Sequence, residues 1–369
     1  PLSAVPSKRH FRNVRGQLLT LIENLCSIPT THRATMFGRR RAPALASTIR
    51  DVALMAGVSV STVSRAFTMP DLVNAETLER VRQAGEKLGY QPNRAARALI
   101  TGRTGNLGVV VPDLINPFFP AVLKGVQTRA RELDHCVFLA DADEDPRAEH
   151  ELIVHLSKQV DGFVLCASRM SLEQVRSLSA TTRIVFMNRQ VAGSPSVMTD
   201  PGGAHQAIAH LAALRHERVA YMNGPSTSWS NRERRKALRS AARKYGVELV
   251  EFGPFEPSFE AGIQAADLAL ASGVTAIAAY NDLMALGILT RFTDRKVQVP
   301  EEMSVVGFDD ISMAAMATPS LTTVALPKEE SGRVAVDLLL ALLRDQEPPT
   351  HRLPTQLIVR GSTGPRRHV

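Results

Sequence analysis

The chain has 369 residues, of which 44% are hydrophobic and 22% are charged. These proportions are typical of a globular protein with a sizeable core, and the length predicts two or three domains. No uninterrupted apolar run approaches the ~18–20 residues of a membrane-spanning helix, so we expect no membrane partner. The three cysteines form neither a disulfide framework nor a paired metal-binding motif, so we expect a reducing, cytoplasmic location.

The net charge of +8 is concentrated near the start of the chain. Residues 1–46 carry eight basic residues and one acidic residue, and residues 47–103 carry eight basic and five acidic residues. The remaining chain is net −2. A basic N-terminal part on a near-neutral body is expected of a protein that binds a polyanion such as DNA. Four prolines and the run Arg39-Arg40-Arg41 predict that residues 1–46 are a basic, disordered extension.

The next segment has the pattern of three short helices. Thr48 and Ser59 each precede an apolar pattern with helical spacing, so both are predicted N-caps. Gly57 lies between these two helices, where a sharp turn needs positive φ. A third helix is predicted between its cap Asn74 and its stop signal Gly89. Two helices joined by a four-residue turn form a helix-turn-helix arrangement.

Residues 92–105 favour a short helix followed by a flexible linker. Asn93 is a possible cap, and Ala96 is one of three alanines near the basic residues Arg94 and Arg97. A helix of this length is marginal in water on its own. From these residues alone, a plain linker stays an open interpretation.

From residue 106 to residue 369, β-rich apolar runs alternate with amphipathic helical segments. This alternation predicts parallel, doubly wound sheets, and its length predicts two α/β subdomains. The predicted strands are Leu107–Val111, Val137–Ala140, Gly162–Cys166, Ile184–Met187, Val219–Met222, Thr275–Ala279, Ser304–Gly307 and Leu357–Val359.

Polar side chains follow most of these predicted strands. Ligands of open α/β sheets bind outside the carboxyl ends of the strands, so these groups favour a site for a small polar ligand. They are Asp113, Asn116, Asp141, Asp143, Asn188, Arg189, Asp200, Asn223, Asn281, Asp282, Asp309 and Asp310.

The sequence contains no pattern that indicates catalysis. It has no nucleophile elbow, no phosphate-binding Walker loop and no dinucleotide fingerprint. His150 and His155 are five residues apart, which places them on different faces of a helix and argues against a metal site. We therefore predict no enzyme activity, no cofactor and no metal.

The segment from Thr48 to Arg65 resembles the DNA-binding head of the LacI/GalR family of bacterial transcription regulators. It matches the pattern T-x-x-D-V-A-x-x-A-G-V-S-x-S-T-V-S-R, and similarity continues through G-Y-Q-P-N at 89–93, N-P-F-F at 116–119 and V-V-G-F-D-D at 305–310. The resemblance covers about residues 47–362. It implies a homodimeric repressor that binds a pseudo-palindromic DNA operator and responds to a small-molecule effector.

The resemblance also implies an architecture. Residues 47–91 would form the all-α helix-turn-helix head, and residues 92–105 would form a hinge helix and linker. Residues 106–369 would form an effector-binding and dimerisation core similar to periplasmic sugar-binding proteins, with two doubly wound parallel-sheet subdomains around a cleft.

Several residues match family positions that contact DNA. Val60 and Ser61 match positions that select operator bases, and Arg65 matches an arginine that reads a base edge. Leu99 matches a leucine that wedges into the minor groove, which gives a reason for an otherwise exposed side chain. The full implied set is Thr48, Ser59, Val60, Ser61, Thr62, Ser64, Arg65, Thr68, Asn74, Asn93, Ala96 and Leu99. For the hydroxyl side chains, a purely helix-capping role stays open.

The implied effector-binding residues are Phe118, Phe119, Asp200, Arg234 and Asp282. Arg234 and Asp282 match the pair that binds ligand hydroxyls in the family. For Phe119 a core position stays open, and Trp229 is expected at a pocket wall or a subunit contact. Two departures lie near the expected cleft, because Pro201 replaces a usual asparagine and Leu326 a usual glutamine. The ligand is therefore expected to differ from a common hexose.

Other interpretations stay open within and beyond this family. In the alternative interpretation, a protein of the same fold acts as an activator, or as a corepressor-dependent repressor with a nucleobase-type ligand. A ligand-binding receptor without DNA function would lack the helix-turn-helix, and a Rossmann-like enzyme would need catalytic residues that the sequence does not show.

Overall fold

The computed structural model describes residues 47–91 and 102–366. Our predictions for the extension 1–46 and for the hinge residues Asn93, Ala96 and Leu99 therefore lie outside the described residues. The chain divides at Pro92 into two compact units, a head and a core. Among the helices of the described ranges, none is both long and apolar enough to cross a bilayer.

The head contains the three predicted helices, α1 (Ile49–Ala56), α2 (Val60–Thr68) and α3 (Ala75–Leu88), and a 3-10 turn at Pro70–Leu72. Thr48, Ser59 and Asn74 each accept a hydrogen bond from a backbone N–H in the first turn of the following helix, as predicted. Gly57 ends α1 with φ of 64°, and Gly89 ends α3 with φ of 59°. The helices enclose a small core of Val52, Ala53, Ala56, Val63, Ala66, Val81 and Ala84.

The N-terminal subdomain of the core has a six-stranded, wholly parallel sheet in the order β2-β1-β3-β4-β5-β11. Its strands are β1 (Asn106–Val111), β2 (Cys136–Asp141), β3 (Gly162–Cys166), β4 (Ile184–Met187), β5 (Ser196–Thr199) and β11 (His351–Leu353). Its helices are α4 (Phe118–Glu132), α5 (Pro146–Leu156), α6 (Leu172–Thr181) and α12 (Lys328–Leu343).

The C-terminal subdomain repeats this arrangement in the order β7-β6-β8-β9-β10-β12, with β12 antiparallel to β10. Its strands are β6 (Arg218–Met222), β7 (Glu248–Phe252), β8 (Ala276–Ala279), β9 (Ser304–Asp309), β10 (Thr322–Ala325) and β12 (Gln356–Ile358). Its helices are α7 (Gly202–Ala213), α8 (Trp229–Tyr245), α9 (Phe259–Ala271), α10 (Asp282–Asp294) and α11 (Ser312–Met316).

All eight predicted strands are present, and their ends differ from the predictions by at most two residues. Four strands were not predicted, namely β5, β7, β10 and β11. Three of these have only three or four residues, and β7 begins with a glutamate and has no fully buried position. Such short or half-exposed strands lack the long apolar run on which the prediction depended.

The chain crosses between the two subdomains three times, after β5, after β10 and after β11. The first and third crossings are joined by hydrogen bonds. The Thr355 backbone N–H and hydroxyl donate to Asp200 Oδ1 at 3.1 and 2.8 Å, and the Gly202 N–H donates to the same oxygen at 2.9 Å. Asp200 therefore joins two of the three segments that cross between the subdomains.

Candidate functional site

The second helix of the head, α2, has an exposed face with polar and cationic side chains. Val63 and Ala66 are buried against the other helices, which leaves Ser61 and Arg65 exposed and Val60 43% exposed. No side chain within residues 47–91 forms a hydrogen bond or ion pair with the guanidinium of Arg65. The predicted base-reading residues therefore share one open face of α2.

The hydroxyl groups of the head take part in local hydrogen bonds. Ser59 Oγ accepts the N–H of Thr62 at 3.1 Å and shares a 2.8 Å hydrogen bond with the Ser61 hydroxyl. The Thr68 hydroxyl donates to the Ser64 carbonyl at 2.8 Å, and the Asn74 side chain accepts from the Glu76 N–H. The helix-capping role is therefore confirmed for Ser59 and Asn74. The contacts of these side chains with DNA phosphates stay a prediction.

In the core, a small cavity lies between the two subdomains at the carboxyl ends of their strands. Its volume is about 30 Å³, which is enough for only a few water molecules at ~10–15 Å³ each. The N-terminal subdomain contributes Asn116, Phe118, Phe119, Glu144, Ala167, Arg169 and Asn188. The C-terminal subdomain contributes Ser230, Arg234, Pro257, Tyr280, Asn281 and Asp309, and Leu326 comes from the second crossing. We call this the cleft cavity.

Arg234 lines the cleft cavity and is held there by contacts with the C-terminal subdomain. Its guanidinium lies over the rings of Phe308 and Tyr280, at 4.1 and 5.0 Å from their centroids. It donates to the Tyr280 carbonyl and lies 3.8 Å from the Asp309 carboxylate. Both charged side chains are only 10% exposed. Burial raises the pKa of Asp309 to about 6, although Arg234 and Lys328 oppose this shift.

Asp309, and not Asp282, is the carboxylate that lines the cleft cavity. Asp282 is fully buried in the first turn of α10, where its carboxylate accepts the Thr323 hydroxyl at 2.6 Å and the Ile311 N–H at 2.9 Å. Burial and the nearby charge of Asp309 raise the pKa of Asp282 well above its ordinary value. In this geometry the carboxylate beside Arg234 at the cavity is that of Asp309, and the role of Asp282 in binding a ligand stays a prediction. The position of Asp309 at the end of β9 was the sequence signal for it.

The N-terminal subdomain supplies an aromatic and charged wall. Phe118 and Phe119 begin α4, are both buried, and contact each other edge to face with ring centroids 5.2 Å apart. Both line the cleft cavity and both also belong to the buried core, and their contact with an effector stays a prediction. Sequence reasoning missed Arg169, whose guanidinium forms a two-point ion pair with Glu144 at 2.6 and 2.9 Å. No motif marks these two residues, because they come from different strand ends.

The polar strand ends are only partly collected at the cleft cavity. Asn116, Asn188, Asn281 and Asp309 line it. By contrast, the Asp141 carboxylate accepts the N–H groups of its own and a neighbouring loop. Asp200 lies instead at an adjoining cavity, together with Trp229, so Trp229 is a pocket wall. No group of three His, Cys, Asp or Glu side chains within residues 47–91 and 102–366 is placed to hold a metal ion.

Comparison with known proteins connects both units to one kind of protein. Residues 48–93 match the family described as bacterial regulatory proteins, lacI family, and residues 208–363 match the periplasmic binding protein-like domain. The transcriptional repressor CytR of Escherichia coli (strain K12) is 33% identical over 335 residues, which cover 86% of this chain and 96% of that protein.

Two solved structures extend this similarity to the fold. The lac repressor dimer bound to operator and the anti-inducer ONPF superposes with a TM-score of 0.76 at 28% identity, over 86% of this chain and 99% of that one. A LacI family regulator from Enterococcus faecium with bound ribose has a TM-score of 0.64 at 28% identity, over 71% of this chain and 100% of that one. The similarity thus includes the head and both subdomains of the core.

Proposed function

The chain belongs to the LacI family of bacterial regulatory proteins, and from this premise we propose that it is a transcriptional repressor controlled by a small polar effector. As a homodimer it binds a pseudo-palindromic operator in double-stranded DNA, and it releases the operator when a sugar enters the cleft of the core. The observation that carries this proposal is the combination, in one chain, of an open face on α2 and a cavity lined by polar strand ends.

The head supplies sequence-specific contacts. The N-terminal end of α2 enters the major groove, where Val60, Ser61 and Arg65 face base edges. A two-point arginine–guanine contact contributes about 1–3 kcal/mol of discrimination between bases. The phosphate contacts come from Thr48, Ser59, Thr62, Ser64, Thr68 and Asn74, and the hinge contacts come from Asn93, Ala96 and Leu99.

The core is the part of the protein that binds the effector and changes the DNA affinity of the head. A sugar hydroxyl that binds Arg234 and Asp309 contacts the C-terminal subdomain, to which both side chains belong, and competes with the bond from Arg234 to the Tyr280 carbonyl. The aromatic side chains of Phe118 and Phe119 cover the opposite face. Because β1 follows the hinge segment directly in the chain, a movement of the N-terminal subdomain reaches the hinge. Differential affinity of the ligand for the open and closed core then shifts DNA affinity.

A second candidate differs in the ligand and in the sign of control. Phe118, Tyr280 and Phe308 place three aromatic rings at or beside the cleft, which favours stacking of a flat nucleobase-type ligand. In that case the ligand acts as a corepressor, or the protein acts as an activator. A ligand that strengthens operator binding would support this candidate over the sugar-induced repressor.

The DNA-binding part is tested by selecting operator sequences from a random duplex library with the full chain, followed by Arg65→Gln. We expect a selected pseudo-palindrome, and a loss of about 10-fold or more in affinity for it in the variant, with a smaller loss on unrelated DNA. Arg80→Gln is the matched control, since Arg80 is an exposed cation on α3 and loses the same charge. Equal losses in the two variants on the selected operator would contradict the proposed role of α2.

A further inference from the structure

A second cavity adjoins the cleft cavity and is much larger. Its volume is about 280 Å³, against about 30 Å³ for the cleft cavity. The two share Asn188, Ser230, Arg234 and Leu326, so a single ligand can contact both. In this state of the protein, the space that can hold most of a small ligand is therefore the second cavity.

The second cavity carries unbalanced positive charge. Lys236 and Arg352 line it, and neither forms an ion pair within the described residues. Arg235 and Arg239, on the same helix as Lys236, are instead both paired with Glu251. The full set of titratable side chains around the cavity is Asp200, His205, Glu233, Arg234, Lys236 and Arg352.

The acidic groups of this set do not cancel the cations. Asp200 and Glu233 are the two carboxylates of the lining, and Arg234, Lys236 and Arg352 are its three cations. The formal charge of the lining is therefore +1 with His205 neutral. Asp309, whose carboxylate lies 3.8 Å from Arg234, belongs to the lining of the cleft cavity.

Part of the lining of the second cavity is apolar. Its lining includes Met198, Pro201, Ala204, Trp229, Ala237, Phe308, Val324 and Leu326. Of the four residues that the two cavities share, Leu326 is the apolar one. The indole N–H of Trp229 is buried without an acceptor among the described residues, a state that costs about 1–3 kcal/mol. An acceptor atom that reaches this N–H would remove that cost.

We propose that the second cavity binds the anionic end of the effector, and that the effector is an anionic sugar, either a sugar phosphate or a sugar acid. Its hydroxyl groups contact Arg234 and Asp309 in the cleft, and its anionic group is bound by Lys236 and Arg352. An arginine fork and an ammonium group are the usual partners of phosphate and carboxylate groups. This inference rests on the proposed function, because it extends the same cleft.

The test uses the fluorescence of Trp229, which is the only tryptophan in the chain and lies in this cavity. The full-length protein is titrated with glucose-6-phosphate, ribose-5-phosphate, glucuronate, the parent neutral sugars and inorganic phosphate. We expect at least one anionic sugar to bind about 10-fold or more tightly than its neutral parent, as one charge-assisted contact allows. Binding of the phosphate esters would indicate a sugar phosphate as the effector, and binding of glucuronate would indicate a sugar acid.

Matched variants then assign the contact. Lys236 and Arg352 are both exposed. Each of the variants Lys236→Gln and Arg352→Gln is expected to weaken binding of the anionic sugar by about 10-fold while leaving the affinity for the neutral sugar unchanged. Arg243→Gln removes the same charge from an exposed position on α8 outside this cavity, and it should bind as the wild type does.

Three results would overturn this inference: no anionic sugar changes the fluorescence, Lys236→Gln and Arg352→Gln bind as tightly as Arg243→Gln, or inorganic phosphate binds as tightly as the sugar phosphate. The proposed function is judged separately. It stands if a neutral sugar still releases operator DNA from the wild type and fails to release it from Arg234→Gln.

Discussion

Asp309 lies at the cleft with a carboxylate that burial disfavours in its charged form. Its pKa in the folded protein is about 6, compared with 3.8 for an ordinary aspartate. A raised pKa means that the fold favours the protonated form. The stabilising contribution of Asp309 is therefore complete below about pH 4 and is lost as the pH rises through about 6.

We predict that Asp309→Asn becomes more stable relative to the wild type as the pH rises. Between about pH 4.5 and about pH 7.5 the gain in the free energy of unfolding should be about 2 kcal/mol. Removing this charge also relieves Asp282, whose pKa it helps to raise, and this acts in the same direction. Urea denaturation at the two pH values measures the difference. The same variant should lose effector binding.

Asp310→Asn is the control for Asp309→Asn. Asp310 follows directly in the chain, but it pairs with Arg360 at 2.7 Å and does not line the cleft cavity. We expect it to keep effector binding. If both variants gain stability equally with pH, the raised pKa of Asp309 is not the cause.

These neighbouring acids also show what the sequence could predict at the residue scale. The rule that ligands bind at the ends of parallel strands selects both Asn281-Asp282 and Asp309-Asp310. It cannot distinguish among the four, because adjacent residues differ in whether they turn toward the cleft or toward the core. Asp282 turns inward to Thr323, a contact 41 residues away in the chain that no local pattern shows.

At the scale of elements, two helices that are far apart in the chain pack backbone to backbone. α4 and α12 approach so closely that a Cβ atom at Gly125 would lie 2.0 Å from the Glu329 carbonyl oxygen. A Cβ at Gly332 would lie 2.3 Å from the Val122 carbonyl oxygen. Both values are far below van der Waals contact, so only glycine fits at these positions. Because α4 begins with the two phenylalanines of the cleft, this packing also positions the aromatic wall.

We predict that Gly125→Ala lowers the free energy of unfolding of the core by about 1–3 kcal/mol, since the two helices must move apart. The midpoint of urea denaturation measures this loss. Gly361→Ala is the matched control, because its added Cβ would meet its nearest neighbours at an ordinary 3.4 Å. We expect that change to stay within about 0.5 kcal/mol. Equal midpoints for the two variants would refute the close approach.

The contact between α4 and α12 also marks the limit of prediction at this scale. Periodicity predicts that a segment such as 121–133 is a helix, and it is. It does not predict that the helix after β10 returns to the first subdomain, because that placement depends on contacts with α4 and with β3, β4 and β5, which lie far away in the chain. Among the four missed strands, β11 shows the same limit, since its partner β5 lies far away in the chain, with His351 beside Val197.

At the scale of the whole molecule, the head and the core differ greatly in the amount of apolar surface that they bury. The head has about 45 described residues, and its buried core consists only of valine and alanine side chains. A domain of this size is marginally stable, whereas the core continues through both subdomains with leucine, isoleucine, methionine and phenylalanine. The two units should therefore unfold in separate steps.

We predict two calorimetric transitions for the full chain, with the head unfolding at the lower temperature. Gly57→Ala should lower only the first midpoint, because alanine at φ of 64° is strained by about 1 kcal/mol. Gly125→Ala should lower only the second. Duplex DNA at low salt should raise the first midpoint and an effector should raise the second, since each stabilises the unit to which it binds. A single transition whose midpoint falls equally in both variants would show instead that the head and core unfold as one cooperative unit.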